Sequence, residues 1–133
     1  MIEFLNPTTI GAPAAAYSLG ARVPAGFEYL FTSGIVATRA DGTISADLAE
    51  QAEAVWFSIG EILVAGGYAI SDLVGYTTYV VDRPALTADL AKVMAARDRA
   101  LNGHKATSTL IVVPRLARAE WQIEIACTAA RQP

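Results

Sequence analysis

Two stretches of the chain repeat apolar residues with the period of an α-helix. The first begins near Asp47, which makes a capping box with Glu50, and it ends before the Gly66-Gly67 pair. The second begins after Pro84, a residue favoured in a first helical turn, and ends before Gly103. The apolar stripes are Leu48, Ala52, Val55, Ile59, Ile62 and Leu63 in the first stretch and Leu86, Leu90, Val93, Met94 and Leu101 in the second. Each stripe predicts a helix that packs one face against a sheet.

Runs of strand-forming residues surround these helices. They are Phe27–Thr32, a return strand after the turn signal Asp41-Gly42, Leu73–Val81, Ser108–Val113 and Trp121–Thr128, with shorter runs near 2–5 and 21–23. The segment 6–16, which holds two prolines and a glycine, is predicted to be an extended loop. This order of elements predicts an α+β fold in which a mixed β-sheet carries both helices on one face.

The strand at 110–113 is apolar on both of its faces. Its residues are Leu110, Ile111, Val112 and Val113, and alternate side chains of a strand point to opposite faces. Two helices on one side cannot cover both faces, so we expect the other face to meet copies of itself in a closed homo-oligomer. The alternative is that these residues end a hairpin beneath a loop.

Composition leads to the same expectation. A length of 133 residues favours one domain, residues 1–133. Hydrophobic residues make up 53% and charged residues 17% of the chain, which excludes a disordered protein. The mean hydropathy of +0.37 is high for so small a chain, which must either enter a membrane or bury apolar surface against other copies.

The most apolar segment does not suit a membrane span. Residues 54–70 are interrupted by Ser58, Gly60, Glu61 and the Gly66-Gly67 pair, and the uncharged run is shorter than the roughly 20 apolar residues that a span needs. The first residues carry Glu3 and no basic residue, unlike a signal peptide. We therefore expect a soluble, cytoplasmic protein without a membrane partner.

Few residues are available for metal or nucleic-acid chemistry. The single cysteine, Cys127, excludes a disulfide framework, and together with the single histidine, His104, it excludes multi-thiolate and paired-histidine metal sites. The net charge is −3 and the pI is near 5.0, so no broad cationic surface is expected for nucleic acid.

Several short segments occur in an order and spacing typical of one family. Among them are 16–20 (Ala-Tyr-Ser-Leu-Gly), 31–34 (Phe-Thr-Ser-Gly), 72–74 (Asp-Leu-Val), 108–110 (Ser-Thr-Leu) and 120–125 (Glu-Trp-Gln-Ile-Glu-Ile). Together they resemble the RidA/YjgF family over nearly the whole chain. The resemblance implies a chorismate-mutase-like α+β fold, assembled as a homotrimer around a central barrel of sheets with three clefts between subunits.

The resemblance also implies an activity. Founding members look like hydrolases of reactive enamines and imines shed by pyridoxal-phosphate enzymes, which release ammonia and a 2-oxo acid without a cofactor or metal. In those members an arginine at the start of the penultimate strand grips the substrate carboxylate, and a glutamate on the last strand serves the attacking water. Thr107 stands at the arginine position, and Glu124 matches the glutamate if the loop 114–119 carries two extra residues.

The exchange of arginine for Thr107 changes what this position can bind. A guanidinium gives a carboxylate two charge-assisted hydrogen bonds, whereas a threonine hydroxyl offers one neutral donor. Burying a substrate anion without its partner costs on the order of 2 to 5 kcal/mol. The standard imines derived from amino acids, of the 2-aminoacrylate type, are therefore disfavoured as substrates.

The resemblance assigns further residues to the cleft. Glu124, between Ile123 and Ile125, would be partly removed from water and would exchange protons with a water molecule, although a solvated or salt-bridged carboxylate is the alternative. The remaining assignments are Tyr17, Ser33, Gly34, Thr107, Ser108 and Thr109 as substrate-binding residues. Tyr17 could equally be a packing anchor, and Gly34 a turn glycine. His104 and Lys105 could supply a replacement cation or merely favourable charges at a helix end.

We therefore expect a cofactor-free, RidA-like enzyme that hydrolyses or deaminates a reactive enamine, imine or related metabolite. The alternative is a non-catalytic trimer that binds or senses a metabolite in the same cleft. A nuclease is a third possibility, against which the acidic charge balance counts.

Overall fold

Both predicted helices form in the computed structural model, which describes all 133 residues. Helix α1 spans Leu48–Ala65 and helix α2 spans Leu86–Leu101. The Asp47 carboxylate accepts a hydrogen bond from the Glu50 N–H at 3.0 Å, as predicted for the start of α1. The other half of the capping box does not form, because the Glu50 carboxylate accepts from the Ser45 hydroxyl instead. Helix α2 ends where Asn102 and Gly103 adopt left-handed conformations.

Six strands accompany the helices. They are β1 (Glu3–Leu5), β2 (Gly20–Arg22), β3 (Glu28–Phe31), β4 (Leu73–Val81), β5 (Thr107–Val113) and β6 (Ile123–Arg131), and a short 3₁₀ turn at Ile70–Asp72 precedes β4. Strands β3, β6, β4 and β5 lie side by side in that order, with β4 and β5 parallel and the other pairs antiparallel. Strands β1 and β2 form a separate antiparallel pair, and a bridge from Ser18 to Thr107 joins it to the free edge of β5. The predicted mixed sheet is confirmed.

The predicted return strand after Asp41-Gly42 is wrong. A turn does form there, with Gly42 at φ 84° and the Arg39 N–H donating to the Thr43 carbonyl at 2.9 Å, but no strand pairing follows it. Residues 32–35 instead continue along β6, where Ile35 and Ile125 exchange two backbone hydrogen bonds. The segment after the turn is held by a side chain, because the buried Gln51 amide donates to the Ser45 carbonyl.

The hydrophobic core lies between the two helices and one face of the sheet. Strand β4 contributes Leu73, Tyr76 and Val80, and β6 contributes Ile123, Ile125, Cys127 and Ala129. From α1, Val55, Ile59 and Leu63 are fully buried against them. Burying such side chains stabilises the fold by about 1.5–3 kcal/mol each. The predicted placement of both helices on one face is therefore confirmed.

The opposite face of the sheet is not covered by any element of the chain, and is called the open face below. Tyr29 and Phe31 of β3 stack on each other there, with ring centroids 5.9 Å apart, and Phe31 is 72% exposed. Ile111 of β5 is also exposed on this face. No helix has both the length and the apolar character needed to cross a membrane.

Candidate functional site

The strand register arranges the open face into three rows of side chains. The first row is Thr107, Gly75, Thr128 and Phe31; the second is Thr109, Thr77 and Ala126; the third is Ile111, Tyr79 and Glu124. Every row crosses β5, β4 and β6, and the first reaches β3. Of the residues that the sequence assigned to a cleft, Thr107 belongs to the first row, Thr109 to the second and Glu124 to the third, so Thr107 and Glu124 lie at opposite ends of this face.

Glu124 lies at the third-row end, where it contacts Gly34 in the segment that follows β3. A Cβ atom placed on Gly34 would be 2.6 Å from Glu124 Cδ, so only glycine leaves room for the carboxylate. The backbone bonds between Ile35 and Ile125, at 2.8 and 3.0 Å, fix this approach. Glu124 is half-buried, and its carboxylate has no hydrogen-bond or ion-pair partner within the chain. Ser33 is exposed beside it, so Ser33, Gly34 and Glu124 do come together.

Thr107 lies at the first-row end, where β4 carries a bulge at Val74. The Thr107 hydroxyl donates to the Val74 carbonyl at 3.1 Å. A Cβ atom on Gly75 would collide with Thr107 Oγ1, so the glycine makes this contact possible. Around Thr107 is a groove of about 440 Å³, which Phe31, Thr109 and Thr128 also line. The alternation of side chains also places Thr128 and Phe31 on this face, although neither residue is among those assigned to the cleft from the sequence.

Two assigned residues lie away from the groove. Ser108 pairs with Tyr76 on the helix-facing side of the sheet, because neighbouring residues of a strand point to opposite faces, and it therefore does not line the groove. Tyr17 lies in the loop before Ser18, near the start of β5, and its hydroxyl accepts a hydrogen bond from the Ala14 N–H at 3.3 Å. It is half-buried in that loop.

The Thr107 end and the Glu124 end are too far apart to bind one small molecule within a single chain. Thr107 pairs with Gly75 and Glu124 pairs with Tyr79, so the two are offset by four residues along β4. Four residues of strand span about 13 Å, and the two side chains are also two strands apart. Within one chain, the two ends therefore lie apart and do not form a single cleft.

The helix-facing side behind the groove holds weakly acidic groups. Burial raises the pKa of the Cys127 thiol to about 12, so the thiol stays protonated near neutral pH and is a poor nucleophile. Burial also raises the pKa of Tyr76, an effect that the nearby Ser108 hydroxyl and Arg97 guanidinium oppose without cancelling. The Tyr76 ring packs edge-on against Trp56, and both polar atoms lack a hydrogen-bond partner of ordinary geometry.

The two residues considered as replacement cations differ in their surroundings. His104 Nε2 lies 2.7 Å from the Leu73 carbonyl, and the ring packs edge-on against Phe4 with centroids 5.3 Å apart. The imidazole therefore holds β1 and β4 together and does not face the groove. Lys105 is exposed and has no carboxylate partner. The structure contains no group of three or more His, Cys, Asp or Glu side chains that could hold a metal ion.

A larger depression, of about 890 Å³, lies on the other side of the molecule. It runs along the outer surface of α1, and Phe57, Glu53, Glu61 and Arg39 line it. None of the residues assigned to the cleft reaches it, and its carboxylates are mainly solvated. The open face is therefore the better candidate for the functional site.

Comparison with known proteins agrees with this architecture. Residues 9–131 match the sequence profile of a family described as Endoribonuclease L-PSP. The Rid-family protein YyfB of Yersinia pestis, of unknown function, is 30% identical, with a TM-score of 0.88 over 98% of each chain. The Escherichia coli YjgF product is 26% identical, with a TM-score of 0.71 over 98% of this chain and 99% of that one.

Escherichia coli TdcF, solved with bound serine, is also 26% identical, with a TM-score of 0.71 over 89% of this chain and 94% of that one. A comparison with curated protein sequences finds no match. The profile match over most of the chain and the likeness to YyfB confirm the family that the sequence motifs indicated. The chain belongs to the RidA/YjgF family, the family of the Endoribonuclease L-PSP profile.

Proposed function

We propose that this protein is a small-molecule enzyme that hydrolyses or deaminates a reactive enamine, imine or related metabolite. The observation that carries the proposal is the Glu124 carboxylate, half-buried above Gly34 and without a partner in its own chain. A carboxylate in that position is free to accept a proton from water. The relative TdcF was solved with serine bound, which supports a ligand of amino-acid size.

The proposed reaction needs only water and a general base. Glu124 accepts a proton as the water oxygen bonds to the carbon of the C=N group, and it then returns that proton to the nitrogen. Collapse of the resulting carbinolamine expels ammonia and leaves a carbonyl product. An enamine enters the same route after a proton is added to its carbon.

We further propose that three chains assemble through their open faces. Such an assembly would cover Tyr29, Phe31 and Ile111, whose exposure is costly in a lone chain. It would also bring the Glu124 end of one chain next to the Thr107 end of another, which resolves the separation of about 13 Å along the sheet. The clefts would then lie between subunits, with Tyr17 near the rim.

A non-catalytic trimer that binds a metabolite is the second candidate. Thr107 favours it, because the groove lacks the guanidinium that grips substrate in the founding members. Ligand recovered chemically unchanged after prolonged incubation with the protein would support this candidate over the enzyme.

Glu124→Gln tests the proposal. The substrates are imines of neutral ketones and 2-imino acids, generated in situ, with ammonia release as the measurement. We expect Glu124→Gln to lose a factor of roughly 10² to 10⁴ in turnover, the usual contribution of a general base. Glu120→Gln is the matched control, since Glu120 is exposed in the preceding loop and should not affect turnover. Wild-type turnover by Glu124→Gln would contradict the assigned role.

A further inference from the structure

The Thr107 hydroxyl has one proton, and the fold already uses it. Thr107 Oγ1 lies 3.1 Å from the Val74 carbonyl oxygen, which can only accept a hydrogen bond. The hydroxyl must therefore donate to Val74, and it presents only its lone pairs to the groove. The sequence alone suggested a neutral donor at this position; the structure makes the position an acceptor.

Two features hold the hydroxyl in this orientation. Val74 is the extra residue of the bulge in β4, opposite no residue of β6, and it lies beside Thr107 of β5, so its carbonyl is within reach of the hydroxyl. Gly75 has no Cβ atom, which leaves the space that Thr107 Oγ1 occupies beside the β4 backbone. Rotation of the hydroxyl toward a ligand would break its hydrogen bond to the Val74 carbonyl.

The rest of the groove supplies no positive charge. Its polar side chains are threonine hydroxyls, including those of Thr109 and Thr128. Seven of the ten Lys and Arg residues have a carboxylate partner elsewhere on the chain. Of the other three, Arg131 donates to the Gly67 carbonyl, Arg115 donates to the Leu116 carbonyl, and Lys105 is free. Copies of the same chain could add only these same cations.

We infer that the part of the ligand bound beside Thr107 carries a hydrogen-bond donor and no negative charge. An amide, amine or imine N–H fits, because it would donate to the Thr107 lone pair. A carboxylate does not fit, since it would place its own lone pairs against an acceptor in a groove without a cation. The inference rests on the proposed function only in taking this groove as a ligand site.

Pyruvamide and pyruvate test the inference, because they have nearly the same shape and differ in donor and charge. Binding to the purified wild-type protein is measured by NMR titration, following the amide signals of Gly75 and Thr128 in the first row. We expect pyruvamide to bind roughly five- to tenfold more tightly than pyruvate, the value of about one hydrogen bond. Preference for pyruvate, or no binding of either probe, would overturn the inference.

Variants of Thr107 locate the source of the preference. Thr107→Val keeps the shape without the acceptor and should abolish the preference, whereas Thr107→Ser keeps a hydroxyl and should preserve it. Thr107→Arg should reverse the preference toward pyruvate. Lys105→Met should bind both probes as the wild type does. A wild-type preference retained in Thr107→Val, or pyruvate binding that disappears in Lys105→Met, would overturn the inference.

Failure of this inference can be told apart from failure of the proposed function. Pyruvamide preference combined with wild-type turnover in Glu124→Gln would contradict the proposed catalytic role and leave the inference standing. Pyruvate preference combined with loss of turnover in Glu124→Gln would overturn the inference and leave the proposed hydrolysis standing.

Discussion

At the scale of single residues, two glycines determine where the polar groups of the site lie. Gly34 lets the Glu124 carboxylate rest on the backbone, and Gly75 lets the Thr107 hydroxyl reach the Val74 carbonyl. Strand alternation places Glu124 on the same face as Ala126 and on the opposite face from Ile125. The role of the Thr107 hydroxyl could not be predicted in the same way, because it depends on a bulge that no residue pattern near Val74 indicates.

A methyl group at position 34 should displace the Glu124 carboxylate. The added carbon would lie 2.6 Å from Glu124 Cδ, closer than nonbonded carbons approach, so the side chain must move. Misplacement of a catalytic group by about 1 Å can cost roughly 10²-fold, and we expect Gly34→Ala to lose turnover on that scale while remaining folded. The measurement is ammonia release beside a thermal melt.

The matched control for Gly34→Ala is Gly60→Ala. Nothing lies within 4 Å of a Cβ atom at position 60, and the residue is inside α1. Gly60→Ala should keep wild-type turnover and gain about 0.5–1 kcal/mol of stability from helix propensity. Full turnover in Gly34→Ala would show that the approach of Gly34 to Glu124 does not matter for the reaction.

At the scale of elements, the helices and the long strands could be predicted because their apolar periods are unbroken. Strand β4 has the predicted bounds, and α1 has the predicted cap at Asp47. The prediction of a return strand after Gly42 failed because the Gln51 side chain holds the backbone there at Ser45. This is a tertiary contact, which the local sequence does not indicate. Gln51 also donates to the Glu120 carbonyl at 2.9 Å and accepts from the Gln122 N–H. One buried side chain therefore joins the segment before α1 to the segment before β6.

The buried thiol of Cys127, on the helix-facing side of β6, should make the protein less stable at alkaline pH. Burial raises the pKa of the Cys127 thiol from 9.0 to about 12. The unfolded chain therefore loses this proton at lower pH than the folded chain does. The stability that the neutral thiol contributes is complete below pH 9.0 and is lost as the pH rises toward about 12, by up to about 1.4 kcal/mol per pH unit.

Denaturant titrations across that range measure the effect. In Cys127→Ala the fall in the free energy of unfolding should be shallower by about one proton's contribution. Some slope should remain, because burial also raises the pKa of Tyr76. Equal slopes in the wild type and Cys127→Ala would show that the thiol titrates alike in the folded and unfolded chains.

At the scale of the whole molecule, the uncovered sheet face was predictable from the apolar run 110–113 and from the count of helices. The separation of Thr107 and Glu124 on that face was not predictable, because it depends on the registers in which β5 and β6 pair with β4. The family profile is described as an endoribonuclease, yet seven of the ten cations are paired with carboxylates. Such a charge distribution is a poor one for binding a phosphate backbone.

A charge on the open face should break the proposed trimer. Ile111 is 39% exposed there, and Ile111→Asp would place a carboxylate against the apolar face of another copy. We expect sedimentation at micromolar concentration to show a trimer for the wild type and smaller species for Ile111→Asp. Val64→Asp is the matched control, since Val64 is 72% exposed on α1 and should leave the trimer intact. A stable lone wild-type subunit would refute the assembly.

The wide spacing between the two ends of the open face has a genetic consequence. In a ring of three identical chains joined in this way, every chain serves one cleft with its Glu124 end and the adjacent cleft with its Thr107 end. A chain damaged at one end would then impair one cleft of a mixed ring, and a chain damaged at both ends would impair two. Conversely, two alleles that are each inactive alone, one damaged at either end, would restore some working clefts when expressed together.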